Sequence, residues 1–407
     1  MKKESFVAGL DIGTTKVSVI VGVPSPNGID IVGVGTAPNQ GLRKGVVVNI
    51  EQTTEAIRQA RDEAELMAGF EITEAWVGVS GHVSKSFDSK GMIATRDREI
   101  SSHDIDRVVE AAKAVAVPSD RDVIHVLPRE FKVDEQDGIL DPVGMSGIRL
   151  EANVHIVTTG HTALQNLLRC AERAELGVSG LVLEQYSSAL AVLTEDEKQL
   201  GVAVVDIGGG TSDIVIIAQG SIAYTGSVPL GGAHITNDIA VGLRTPHASA
   251  EMLKKKYGCA LASLVNAEEA IEVDGVGGRR ERTVLRQHLC EVIEPRAEEI
   301  LNYVNNEIQK SGLTKMLGSG VVLTGGASLL DGLVELGEFA FDMPVRATGP
   351  TGFGGITDVV KSPQYSTAVG LVLFAEREKK LRGVRTQNKA QVGQWMVRVR
   401  ELLDSVF

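Results

Sequence analysis

One heptapeptide pattern recurs half a chain apart, and it limits the possible folds more than any other feature. Residues 7–13 read Val-Ala-Gly-Leu-Asp-Ile-Gly and residues 202–208 read Val-Ala-Val-Val-Asp-Ile-Gly, an offset of 195 (206 − 11) in 407 residues. Each is an apolar strand ending at Asp-Ile-Gly, followed by a Gly/Thr turn and a second apolar strand, Val17 to Val23 and Ile214 to Ala218. Two strands about a tight glycine-containing turn make a β-hairpin, so the chain reads as two related halves, each opening on a hairpin.

The two turns share a chemical logic. Glycines bring successive backbone N–H groups close to a ligand, and such groups form an anion-binding nest. In the first turn Gly13, Thr14, Thr15 and Lys16 supply donors for phosphate oxygens; in the second, Gly208, Gly209, Gly210 and Thr211 do the same. Asp11 and Asp206 place a carboxylate at the same offset in each. Carboxylates beside phosphates point to Mg²⁺ between them, held through water. Two such hairpins facing each other would clamp the phosphate tail of a nucleotide. Ordinary glycine hairpins are the plainer reading, which the matched pair disfavours. A third glycine turn, Thr324-Gly325-Gly326-Ala327-Ser328, follows the strand Gly320–Leu323 and opens a helix through Leu329, Leu330 and Leu333. A glycine turn at a helix start can meet phosphate or ribose.

Elsewhere strands alternate with helices, as layered α/β domains require. Asn49 with Gln52 predicts a capped helix through Ile57, Ala60, Ala64 and Met67, stopped by Gly69. A strand is expected at Ala75–Ser80 and helices over 102–116 and 162–176. Residues 247–310 read as mostly helical around the glycine-rich turn Asp274–Gly278.

Composition narrows the function classes. The length suits two or three domains, and a net charge of −12 makes most of the surface repel nucleic acid and anionic lipid. Aromatic residues, at 4%, are too few for base-stacking platforms, so no nucleic-acid partner is expected. Cys170, Cys259 and Cys290 form no CxxC pair, which argues for a reducing compartment and against a structural zinc. The apolar stretch near the start is short and broken by Asp11 and Lys16, unlike a signal peptide, and no run approaches the ~18 apolar residues of a membrane span.

The last sixteen residues are the exception to this acidic surface. Val392, Trp395, Val399, Leu402 and Val406 recur at helical spacing; Met396 and Leu403 widen the stripe, and Phe407 ends it. Gln394, Arg398, Glu401 and Ser405 face away. From Lys379 through Arg400 there are seven basic residues and no acidic one. Such a helix lies in a lipid interface, and each basic residue near anionic lipid contributes about 1 kcal/mol. Docking on the protein's own core or coiled-coil pairing is the alternative.

Taken together, Asp11–Lys16, Asp206–Asp213 and Thr324–Leu333 resemble the first phosphate, second phosphate and adenosine motifs of the actin, Hsp70 and sugar-kinase superfamily. Glu184-Gln185-Tyr186-Ser187-Ser188-Ala189 and Ser366–Phe374 resemble its two connecting segments. The resemblance implies an α/β, actin-like (ribonuclease H-like) duplicated two-domain fold with ATP and Mg²⁺ in the cleft. It would set Glu184 near the attacking water, although Gln185 stands where many relatives have proline. A solvated carboxylate at a helix start is the plainer account of Glu184. Glu251 and Lys254 resemble residues that hold adenosine, or else mark a plain amphipathic helix.

Within the superfamily the chain is similar to the FtsA family of bacterial cell-division proteins. An insertion over about 84–161 resembles that family's 1C subdomain, the C-terminal helix its membrane-targeting sequence, and Gly231–Ala240 and Ser366–Leu371 its local sequence. About 35 residues follow the last motif, short of an Hsp70-type substrate domain. The resemblance implies subdomain 1A over 1–83, 162–199 and 359–381, 1C over 84–161, 2A over 200–229 and 304–358, and 2B over 230–303. A linker over 382–391 and a membrane helix over 392–407 would follow. It further implies filaments of the chain on the cytoplasmic face of the inner membrane at the septum. The C-terminal peptide of FtsZ would bind at 2B and later division proteins at 1C, with at most slow, regulatory ATP turnover. A different actin-like scaffold of cell shape or pilus assembly, or a small-molecule kinase on the same fold, is the rival reading.

Overall fold

The computed structural model describes residues 6–380 apart from 27, 97–98, 115–116 and 278. The linker and membrane helix expected at 382–407 lie outside the described residues, as do Val115 and Gly278.

The duplication seen in the sequence is a duplication of sheets. In the first half, Val7–Ile12, Lys16–Ser25 and Gly28–Pro38 run antiparallel in succession, and Glu74–Val79 and Gly177–Leu183 extend the other edge in parallel. In the second half, Val202–Ile207, Ser212–Ala218 and Ser221–Val228 repeat the antiparallel set, and Val321–Thr324 and Val345–Ala347 the parallel one. Numbered within each half, both sheets read 3-2-1-4-5; a two-residue strand, Gly354–Gly355, adds to the outer edge of the first. The central strand of each sheet is the one that ends at Asp-Ile-Gly. It is apolar on both faces because helices or strands cover both.

Two connecting helices lie between the halves, Glu184–Val192 and one over 366–380. Ala189, Val192, Ala368, Val369 and Val372 share a core with Val7 and Ile20 of the first sheet and Val204 and Val215 of the second. The helices cross at backbone contact: a Cβ on Gly370 would lie 1.9 Å from the carbonyl oxygen of Ser187. Only glycine permits that approach. Ser187 Oγ donates to the Thr367 carbonyl at 2.7 Å across the same crossing.

The insertion is a four-stranded antiparallel sheet, Ser84–Ala94, Arg149–Gly160, Arg121–Val133 and Gln136–Ile139, with the helix Ser102–Lys113 on one face. Its core is its own, built on Ile100, Val108, Phe131, Leu150, Val154 and Ile156. It is rooted in the first half and touches the outer strand of the second. Thr225 Oγ1 donates to Ser86 Oγ at 2.8 Å, and Ser221 Oγ donates to the Arg129 carbonyl at 3.2 Å.

Several elements differ from expectation for local reasons. Asn49 does cap the helix Ile50–Ala68, accepting from Gln52 N at 3.0 Å, and Gly69 ends it at φ 78. Ile57, Ala60 and Ala64 are buried, but Met67 is exposed, because the next residue, Ala68, continues the buried face: its Cβ lies 2.9 Å from where a Cβ on Gly33 of the sheet would be. The helices at 102 and 162 end early, at Lys113 and Arg173. The helix expected directly from the 324–328 turn does not form there. A short 3₁₀ turn, Gly326–Leu329, intervenes, Gly332 takes φ 74, and the helix is Leu333–Phe341. Residues 247–310 hold two helices, His247–Tyr257 and Arg286–Lys310, and an unexpected hairpin, Ala270–Val273 with Arg282–Leu285.

Candidate functional site

The two Asp-Ile-Gly turns have the same geometry and face each other. Gly13 N donates to Lys16 O at 3.0 Å, and Gly208 N donates to Thr211 O at 2.9 Å, so both close with an i→i+3 bond at the 195-residue offset. A Cβ on Gly209 would fall 2.5 Å from Thr15 Cγ2, and one on Gly210 would fall 2.6 Å from Thr14 Oγ1. The glycines are therefore what allows the loops to approach. A Cβ on Gly325 would meet Asp206 Oδ1 at 2.2 Å, which brings the third glycine turn to the same point.

Around these loops the structure gathers more carboxylates than can ionise together. Asp11, Asp206, Asp213 and Glu184 lie within electrostatic reach of one another. Burial pushes the Asp11 carboxyl up to about 7; Lys16 opposes that shift and Asp206 adds to it. Burial likewise raises Asp213 to about 7 and holds Glu184 well above the usual carboxylate range, with Asp11, Asp213 and Asp206 adding repulsion. Burial raises Asp206 too, against hydrogen bonds from Ser188 Oγ at 2.5 Å and Thr367 Oγ1 at 3.0 Å. Like charges at short range disfavour each other's ionised forms unless a cation intervenes.

Lys16 is the counter-charge present. Its pKa falls to about 8 through burial, with Asp11 and Asp206 pulling it back up. Nζ sits 3.9 Å from the centre of the Tyr365 ring, yet it is buried with no hydrogen-bond acceptor. Leaving a buried ammonium without an acceptor costs several kcal/mol. An anionic oxygen placed between the loops would satisfy it.

Glu184 stands at the base of this cleft, against Gly78 of the neighbouring strand, where a Cβ would lie 3.0 Å from Glu184 Cγ. It does begin a helix, as the plainer account has it, but it is half-buried rather than fully solvated, and burial with three neighbouring carboxylates raises its pKa. Gln185, 1% exposed, points the same way. Its side-chain oxygen has no partner, and neither has Asp213 Oδ1. A Cβ on Gly81 would touch both side chains at 2.5 Å. Asp213, Gln185, Ser188 and Thr367 lie within the motif segments, but none of them was expected as a binding residue. The signal for Asp213 was available: it pairs in register with Asp206, as Ser18 pairs with Asp11.

A second cluster adjoins the first. Lys254 Nζ contacts Glu251 Oε2 at 2.6 Å and donates to Thr236 Oγ1 at 2.8 Å and Gly232 O at 3.0 Å. Gly232 N donates to Gly208 O at 2.9 Å, and a Cβ on Gly232 would lie 3.1 Å from that of Ala327. Glu251, Lys254, Ala327 and the second phosphate-type turn thus border one space. Lys254 is largely buried, unlike a lysine on a freely solvated amphipathic face.

Paired 3-2-1-4-5 sheets, connecting helices crossing between them and mirrored Asp-Ile-Gly turns define an actin-like protein. Solved structures agree on the fold. The PilM–PilN type IV pilus biogenesis complex matches at TM-score 0.63 and 16% identity, over 91% of this chain and 98% of that one. MreB5 of Spiroplasma citri bound to ADP matches at TM-score 0.54 and 15% identity, over 92% and 97%. The family model described as cell division protein FtsA matches residues 203–370, and one described as the SHS2 domain inserted in FtsA matches 81–158. The cell division protein FtsA of Pseudomonas aeruginosa is 50% identical over 91% of this chain and 89% of its own length. That of Escherichia coli K12 is 40% identical over 99% and 98%. The chain belongs to the FtsA family: it is an actin-like cell division protein.

Proposed function

We propose that this chain binds ATP with Mg²⁺ between its halves, polymerises on the cytoplasmic face of the inner membrane at the division septum, and tethers FtsZ there. The single observation that carries the nucleotide reading is the buried, acceptorless Lys16 ammonium between two glycine turns that touch. In this reading Gly13, Thr14, Thr15, Lys16, Gly208, Gly209, Gly210 and Thr211 hold the phosphates. Gly325, Gly326, Ala327, Glu251 and Lys254 border the nucleoside. Asp11 and Asp206 would hold Mg²⁺ through water, as two hard oxygen donors whose mutual repulsion a dication would relieve. Glu184 would orient the attacking water, as the family resemblance implies.

Membrane attachment is assigned to the apolar stripe Val392, Trp395, Met396, Val399, Leu402, Leu403, Val406 and Phe407. Among the described residues no helix is long and apolar enough to cross a membrane. One such helix binds weakly, and a filament that presents many gains avidity. The FtsZ C-terminal peptide is assigned to 230–303 and later division proteins to 84–161, on family resemblance.

Co-sedimentation with anionic vesicles tests this reading, with and without 392–407, ATP and purified FtsZ. Binding that requires the tail, increases with ATP and recruits FtsZ is expected. ATP-independent filaments on lipid would refute the coupling of nucleotide to assembly.

A further inference from the structure

The end of the first long helix carries an apolar patch with no cover among the described residues. Leu66 is 86% exposed, Met67 45% and Phe70 37%. Phe70 stacks on Phe6 at 5.2 Å between ring centres. The last described helix is fastened at the same place: Lys379 Nζ donates to the Phe6 carbonyl at 2.5 Å. The chain therefore leaves the described structure at residue 380 about one lysine side chain from the patch, with 27 residues still to come (407 − 380).

Charge selects among the possible occupants. Residues 62–74 hold Asp62, Glu63, Glu65, Glu71 and Glu74, of which Asp62 and Glu65 are paired with Arg61 at 2.9 and 3.7 Å. Of these, Asp62, Glu63, Glu71 and Glu74 are exposed. An acidic rim repels anionic lipid and attracts a basic segment. The basic charge that faces this rim is in the linker, Arg382, Arg385 and Lys389, whereas 392–407 balances Arg398 and Arg400 with Glu401 and Asp404, so the linker is held by charge and the segment after it by its apolar stripe. That stripe begins 12 residues past Lys380 (392 − 380), which an extended linker spans over roughly 40 Å, ample to reach a patch beside its own origin.

We propose that the C-terminal amphipathic segment, 392–407, docks reversibly in cis on the Leu66–Met67–Phe70 patch and is hidden from the membrane while docked. The inference rests on the tail being the lipid anchor. Docking removes from the lipid-competent population the fraction of chains in the closed state, so apparent lipid affinity falls by that fraction. A short tether makes the local concentration of the tail about millimolar, so even a small patch can hold it. Filaments on lipid would overcome the docking by presenting many tails together.

The experiment is vesicle co-sedimentation of the full chain without nucleotide, on phosphatidylglycerol–phosphatidylethanolamine vesicles, beside Leu66→Glu and a deletion of 392–407. Leu66 is at the surface and outside the nucleotide site, so its variant keeps the fold. Leu66→Glu should raise the apparent lipid affinity about three- to tenfold, since opening the closed state restores competent chains. Unchanged binding overturns the docking, and weakened binding overturns it in favour of a patch that itself touches lipid. If the deletion leaves lipid binding intact, the anchor reading fails and the docking with it. If the deletion abolishes binding while Leu66→Glu is neutral, only the docking fails. Trp395 emission without lipid, taken as the full chain minus the deletion, is the second readout. A blue-shifted signal, independent of protein concentration and moving to the red in Leu66→Glu, is expected. A signal that depends on concentration overturns docking in cis in favour of a second copy, and emission already typical of water overturns docking altogether.

Discussion

Replacing Asp213 by Asn should stabilise the nucleotide-free protein, and by an amount that depends on pH. The side chain is 5% exposed, accepts from Thr211 Oγ1 at 3.0 Å through one oxygen, and has no partner for the other. Burial moves its pKa from 3.8 to about 7. The folded protein therefore holds a proton that the unfolded chain releases. The stability this provides is full below the unfolded value and is lost as pH rises through a window from 3.8 to about 7. At about 1.4 kcal/mol per unit, the ionised carboxylate costs about 4 kcal/mol at about pH 8 and about 2 at about pH 5.5. Asparagine keeps the shape and an acceptor for Thr211 but never ionises. The variant should then exceed the parent by about 2–4 kcal/mol at about pH 8, several degrees in Tm, with a gap that narrows by about 2 kcal/mol at about pH 5.5. Thermal denaturation followed by circular dichroism at the two pH values measures it. A variant no more stable than the parent at the higher pH, or a gap indifferent to pH, would refute the assignment of strain to this carboxylate.

Three further outcomes follow from the same contacts. Lys16→Ala should weaken ATP binding at least tenfold by isothermal titration, about 1.4 kcal/mol or more, because it removes the buried ammonium aimed between the loops. Gly370→Ala drives a methyl to 1.9 Å from the Ser187 carbonyl oxygen, so the crossing helices must part; denaturant unfolding should show a loss of about 1–3 kcal/mol. Asn49→Ala removes the cap on Gln52 N and should cost about 1 kcal/mol in the same assay, with ATP affinity unchanged.

The parts of this molecule that were legible in its sequence are those where one physical rule acts alone. The Asp-Ile-Gly repeat was visible because a tight turn needs glycine and a strand before it needs apolar residues. The 195-residue offset then predicted that the two turns would share their closing hydrogen bonds, as Gly13 to Lys16 and Gly208 to Thr211 do. The Asn49 cap was legible for the same reason. What escaped notice depends on neighbours remote in sequence. The strand Arg282–Leu285 pairs only with Ala270–Val273 and carries no alternation strong enough to declare it. Met67 fits the helix stripe, but the residue after it, Ala68, is the one that meets the sheet, at Gly33. Glu184 looked like a helix-start carboxylate until Asp11, Asp206 and Asp213 arrived from two other elements. Asp213 was concealed by the imperfection of the repeat, since its counterpart in the first hairpin is Ser18.

The four-stranded insertion has its covalent root in one half of the molecule, while its hydroxyl contacts reach the outermost strand of the other through Ser86–Thr225 and Arg129–Ser221. It therefore straddles the very opening whose width a nucleotide would adjust. When the jaws change angle, those two contacts must part, or the whole sheet must swing with them. The two hydrogen bonds thus tie the angle between the halves to the position of a sheet that is covalently part of only one of them.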